Sequence, residues 1–199
     1  MRLILSSCDF SNPVSRQCIL DHLPMPLDQC RVLFVPNEKA TSEKIRSGKY
    51  HARLQEYGFH AEHVYVFDPK QADLFVGLKI DAIYISGGNT FQTLCKLREC
   101  GFDRVLLQYI RSGVTYIGGS AGAHLVSQNI EHITAYDEVP PGMTDFSGLG
   151  LFKGILICHY TEKRRRHYEA LMAENSYRVH VLTDEDSLVV DEMEEKTGS

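Results

Sequence analysis

Short apolar runs alternate with longer amphipathic segments along most of the chain. Arg2–Ser6, Arg31–Val35, His63–Phe67, Asp81–Ser86 and Val114–Ile117 are β-branched or aliphatic stretches of strand length and read as buried strands. Between them, Pro13–His22, Glu38–Tyr57, Gln71–Leu78, Thr90–Arg98 and Phe102–Ser112 carry the helical spacing of apolar positions. This β-α alternation predicts a parallel sheet with helices on both faces. Sites in such sheets form at the carboxyl ends of the strands.

Further along, a helix is expected from Ser120 to about Gln128, then a long irregular loop with room for a hairpin over Glu131–Gly150. Gly154–Cys158 reads as a strand ending at His159, and Glu162–Glu174 as a helix with a basic start. Tyr177–Leu182 and Ser187–Val190 read as closing strands joined by the turn 183–186, and Asp191–Ser199 as a polar tail. A chain of 199 residues suits one domain over 1–199, and 43% hydrophobic content suffices for a full core.

Composition narrows the function classes. A net charge of -5 and a pI near 6.0 argue against nucleic acid or an anionic membrane as partner. No apolar run reaches the roughly 20 residues of a membrane span, and the N-terminus lacks a secretory signal pattern. The six cysteines form no C-x-x-C pair, so reduced thiols in a cytoplasmic protein, with no metal and no cofactor, are the expectation.

The chemistry-bearing stretch is Val114–Val126. Its Gly118-Gly119-Ser120-Ala121-Gly122 fits G-x-S-x-G at a strand-to-helix turn, which makes Ser120 a candidate nucleophile. A serine needs a base. His159 directly follows a predicted strand and so falls on the same rim, whereas His124, four residues beyond Ser120, rides a helix leading away from it. A carboxylate should hold the imidazole tautomer. Asp184 and Glu185 in the late turn and Asp137 in the long loop are the candidates. A second glycine turn, Ile85-Ser86-Gly87-Gly88-Asn89-Thr90, ends a strand before a helix. The Gly88 amide, with that of Ala121, is the expected oxyanion donor pair. A plain strand-to-helix turn with Asn89 or Thr90 as N-cap is the competing reading.

The two glycine turns, with Cys158-His159-Tyr160 downstream, resemble the S51 serine peptidases, the family of α-aspartyl dipeptidases and cyanophycinases. Asp145–Leu151 is also similar to that family's run into its histidine strand. The likeness covers the chain from the first strand to Val190. It implies a flavodoxin-like three-layer sandwich with a mostly parallel central sheet, related to class I glutamine amidotransferases. It further implies Ser120 as nucleophile, His159 as base, and an acid at Asp184 or near Asp137. The substrate implied is a small peptide with N-terminal Asp, and the chain is expected to act as a monomer or homodimer. That substrate calls for a cation, for which Arg164, Arg165 and Arg166 are available, with Asn89 as a further substrate contact. Two positions depart from the pattern: Gly119 stands where the dipeptidases carry a bulky aromatic, and His124 where they carry asparagine. An esterase or amidase of other substrate range, or a non-catalytic binding module, are the alternatives. A flavin or nucleotide binder is disfavoured because Ser6-Ser7-Cys8-Asp9-Phe10 lacks a glycine-rich loop.

Overall fold

A computed structural model describes residues 1–191. Six strands form the main sheet: β1 (Arg2–Ser6), β2 (Val32–Val35), β3 (Val64–Val66), β4 (Ala82–Ile85), β5 (Thr115–Gly119) and β8 (Ser187–Asp191). Their spatial order is β3-β2-β4-β5-β1-β8, all parallel except β8, which runs antiparallel to β1. A separate parallel pair, β6 (Ile155–Ile157) and β7 (Val179–Val181), forms a second small sheet.

Alternation along the strands builds the two faces. Leu3, Leu5, Leu33, Val35, Ile83, Ile85 and Tyr116 pack into one apolar cluster with the helices α4 (Thr90–Glu99), α5 (Phe102–Arg111) and α6 (Ala121–Leu125). Their in-between neighbours Ile4, Val32, Phe34, Ala82, Tyr84 and Ile117 pack into the other, against α1 (Pro13–His22) and α3 (Lys49–Tyr57). The period of two therefore sends successive side chains into opposite layers, giving helix, sheet, helix. The mostly parallel three-layer α/β architecture expected from the sequence is the one observed.

Several elements differ from expectation. Glu38–Tyr57 is not one helix. It is α2 (Ser42–Arg46) and α3, separated at Gly48, whose φ of 77° no helix interior adopts. Pro69–Phe75 is a 3-10 segment rather than an α-helix over Gln71–Leu78. The predicted helix to Gln128 stops at Leu125, because the amides of Leu149, Leu151 and Gly150 take the carbonyls of Leu125, Val126 and Ser127. The hairpin in the long loop reduces to one bridge, Asn129–Ser147, beside a 3-10 turn at Glu131–Ala135. Glu162–Arg164 is a 3-10 turn leading into α7 (Arg165–Glu174). Asp191 closes β8, and the rest of the expected tail, 192–199, lies outside the described residues.

The strand order sets the stage for chemistry. β5 lies between β4 and β1. Its C-terminal end therefore faces the loops that leave both neighbours, Ser86–Asn89 and Ser7–Ser11. No helix among the described residues is long and apolar enough to cross a membrane.

Candidate functional site

Ser120 sits at the turn from β5 into α6 with φ 49° and ψ -106°, a region that side chains other than glycine seldom occupy. The turn is held by its surroundings. The Ser120 amide donates to the Ser6 carbonyl at 2.8 Å. A Cβ on Gly118 would lie 2.7 Å from the Gly122 carbonyl, and one on Gly122 would lie 2.2 Å from the Ile85 carbonyl. The glycines on either side of the serine are thus required by close backbone approach, and the serine hydroxyl is left facing outward.

His159 meets it. Nε2 is 3.0 Å from Ser120 Oγ, and Nδ1 is 2.5 Å from Asp184 Oδ1. The network assigns the proton to Nδ1, donating to the carboxylate, so that Nε2 can accept from the hydroxyl. The hydrogen bond from His159 holds the Asp184 carboxyl below its usual range. Asp137 and Glu185 make no hydrogen bond to the imidazole. Asp137 Oδ2 accepts from the Thr90 amide at 2.7 Å, at the start of α4, and Glu185 is exposed in its turn.

His159 and Asp184 both come from the small sheet, one after β6 and the other after β7. Ser7, at the end of β1, fixes that sheet to the main one. Its hydroxyl accepts from the His159 amide at 2.9 Å and donates to the Leu182 carbonyl at 3.0 Å. His159 itself has φ 51°. The backbone is therefore bent at both partners of the 3.0 Å contact, and hydrogen bonds restrain both bends.

The second glycine turn packs on the first. A Cβ on Gly87 would lie 3.3 Å from Ser120 Cβ. The amides of Gly88 and Ala121 have no protein acceptor among the described residues. Gly88 has φ 151°, which L side chains rarely adopt, and Asn37 Cβ lies 2.7 Å from where a Cβ would stand, so the position calls for glycine. Asn89 stands at the N-cap of α4. Its Oδ1 caps the Gln92 amide at 2.9 Å and its Nδ2 donates to the Glu138 carbonyl at 2.8 Å, so the side chain is engaged at both ends. N-cap geometry explains this, since Asn is the first residue before a regular helix.

The three arginines separate. Arg164 is half-buried, donates to the Cys158 carbonyl and lies over the Tyr136 ring, 3.9 Å from its centroid. Arg165 is exposed and pairs with Glu162 at 3.1 Å, and Arg166 is exposed. His124 is a brace rather than a base. Its Nε2 accepts from the Cys158 amide at 3.2 Å, and Nδ1 lies 3.3 Å from Thr90 Oγ1. Burial drives its pKa well below the ordinary histidine value.

Sequence reasoning missed the contribution of the first loop. In the sequence, Ser7, Cys8 and Asp9 read only as a loop too poor in glycine to cradle a phosphate. Ser7 forms the clasp. Burial, and the Asp184 carboxylate beside it, push the Cys8 thiol up to about 11. Asp9 is buried, has φ 44°, and accepts from the Tyr84 hydroxyl at 2.7 Å. The available signal was positional: this loop leaves the strand adjoining that of the serine.

Comparisons with known proteins agree with this architecture. The model of peptidase family S51 matches residues 3–197. The uncharacterized peptidase Lmo0363 of Listeria monocytogenes is 32% identical over 135 residues, 65% of each chain. The uncharacterized peptidase YgaJ of Bacillus subtilis is 34% identical over 142 residues, 70% of this chain and 59% of that one. Peptidase E of Shewanella amazonensis is 32% identical over 120 residues, 60% of this chain and 47% of the relative. The matches thus span less than two thirds of these relatives' own lengths. A solved Listeria monocytogenes structure assigned to peptidase E superposes with a TM-score of 0.71 at 24% identity, covering 95% of this chain and 93% of that one. That likeness speaks to the fold. With the family model spanning nearly every residue, the chain belongs to peptidase family S51.

Proposed function

We propose that the chain is a serine exopeptidase that hydrolyses short peptides, with dipeptides bearing N-terminal Asp as the preferred class. The observation that carries this reading is the 3.0 Å contact between Ser120 Oγ and His159 Nε2, backed by Asp184 on the far nitrogen. A hydroxyl so placed loses its proton to Nε2 as Oγ attacks the scissile carbonyl. The imidazolium that forms is stabilised by the Asp184 carboxylate. The free amides of Gly88 and Ala121 are the donors for the developing oxyanion. His159 then returns the proton to the departing amine, and water, activated by the same imidazole, releases the acyl group from Ser120.

The substrate's aspartyl carboxylate needs a cation at the rim, and Arg164 fits best. It stands next to His159 in the chain's fold, through its bond to the Cys158 carbonyl, whereas Arg165 is occupied by Glu162. A panel of Asp-X, Glu-X and β-aspartyl dipeptides with p-nitrophenyl esters tests the substrate range. Turnover of Asp-X, labelling of Ser120 by a fluorophosphonate, and loss of both in Ser120→Ala are the expected results. Asp-X hydrolysis that survives Ser120→Ala would overturn the mechanism, and turnover of esters alone would overturn the substrate class.

A further inference from the structure

Cys8 has no part in the hydrolysis proposed above, yet its thiol stands beside the acid–base pair. One ligand atom from each of Cys8, His159 and Asp184 lies within 4.8 Å of the others. We propose that these three side chains bind a thiophilic divalent cation, zinc(II) being the ion they suit, and that its binding switches off the Ser120–His159 pair.

Sulfur, imidazole nitrogen and carboxylate oxygen are the three donor types that zinc takes, and three protein ligands with an open fourth position is a common arrangement. Bonds of about 2.0 to 2.3 Å imply tetrahedral edges of about 3.3 to 3.8 Å, so binding parts the 2.5 Å contact of Nδ1 with Asp184 Oδ1 by about 1 Å while the more distant ligand atoms, all within 4.8 Å, draw in toward the ion. The three residues come from three different loops, after β1, β6 and β7, and the Ser7 hydrogen bonds to the His159 amide and the Leu182 carbonyl hold those loops together without metal. Access is open: the His159 and Asp184 side chains are 38% and 60% exposed. Cys18 and His22 form the other thiol–imidazole contact, at 3.9 Å, and lack a third donor of this kind among the described residues.

The protons balance. The ion takes the lone pair of Nδ1, whose proton reappears on Nε2, and the Cys8 thiol releases its proton to solvent. An imidazole carrying hydrogen on Nε2 donates to Ser120 instead of accepting from it, so it can no longer serve as base. The inhibition rests on the hydrolytic reading; the binding does not.

The test therefore uses the full chain carrying Ser120→Ala, titrated with cobalt(II) as the spectroscopic stand-in for zinc. One equivalent should produce a thiolate-to-cobalt charge-transfer band that added zinc abolishes. Cys8→Ser in that background should remove the band, and Cys18→Ser should keep it. Zinc affinity should fall in Cys8→Ser by more than about 100-fold, beyond the 10- to 100-fold cost of losing an outer partner. Asp184→Asn, a second variant should Cys8→Ser misfold by circular dichroism, should keep the band and weaken zinc binding. Absence of the band, its survival in Cys8→Ser, or unchanged zinc affinity in Asp184→Asn would overturn the site. In the Ser120 chain, zinc should inhibit Asp-X hydrolysis and a chelator should restore it. A chain that hydrolyses nothing would refute the hydrolytic reading while the cobalt titration still decides the metal site.

Discussion

Gly119 and Asp9 compete for one space. A Cβ on Gly119 would stand 2.5 Å from Asp9 Oδ2 and 2.6 Å from Asp9 Cβ. The residue before the serine is held to glycine because the loop after β1 fills the space a side chain there would need. Gly119→Ala should therefore destabilise the fold by about 1 to 3 kcal/mol through overpacking. Asp9→Gly should recover part of that loss in the double variant. Chemical denaturation of all four chains measures the coupling.

Asp9 also carries a pH signature. Burial raises its carboxyl pKa, with the Tyr84 hydroxyl acting in the opposite direction. A raised folded value means that the native state holds this proton more tightly than the unfolded chain does. Its contribution to stability is full below the unfolded value and is lost as pH rises through the folded one. Asp9→Asn should remove that loss, so the variant's stability relative to wild type should climb from about pH 4 upward and then level. Urea midpoints at several pH values test this, and a flat difference would exclude it.

The buried histidines act with opposite sign. Burial lowers His124 well below its ordinary value and His132 to about 4. Both are neutral in the native state and charge on unfolding. Stability should fall as pH drops below about 6.5, at about 1.4 kcal/mol per unit for each histidine until its folded pKa is reached. His132→Gln should flatten the slope by one proton.

Asp184 and Asp137 give distinguishable losses. Asp184→Asn removes the carboxylate from His159 Nδ1 and should lower kcat by up to about 10,000-fold. Asp137→Asn removes an anion from the start of α4. It should cost about 0.3 to 1 kcal/mol of stability and leave kcat within a few-fold. Steady-state kinetics on Asp-X peptides decide between them.

The arginines should separate by KM. Arg164→Ala should raise KM for Asp-X far more than for a neutral N-terminal residue, and Arg165→Ala should leave both unchanged. Equal effects of the two variants on both substrates would remove Arg164 from substrate recognition.

Most of the scaffold was legible in the sequence because its strands obey simple rules. The five apolar runs that form β1 to β5 are buried on both faces apart from Arg2 and Tyr65, and a continuous hydrophobic stretch marks that burial directly. The serine elbow, the glycine turn before α4 and the histidine after β6 were legible for the same reason, being attached to the ends of recognisable strands. The second sheet was not. β6 and β7 look like further strands of one sheet, and only the pairing partner distinguishes them, which is a long-range property. Likewise, nothing local in Ser7-Cys8-Asp9 says that β1 will lie beside β5. Asn89 carries both readings, cap and substrate contact, and the structure shows the cap, with Nδ2 donating to the Glu138 carbonyl.

The small sheet has a temporal corollary. During synthesis the serine elbow and the Ser86–Asn89 turn leave the ribosome well before residues 159 and 184. A domain generally folds as a unit. Until β6 and β7 pair and Ser7 ties them down, the hydroxyl has no imidazole to take its proton. On the hydrolytic reading, the nucleophile stays unactivated until the small sheet has docked.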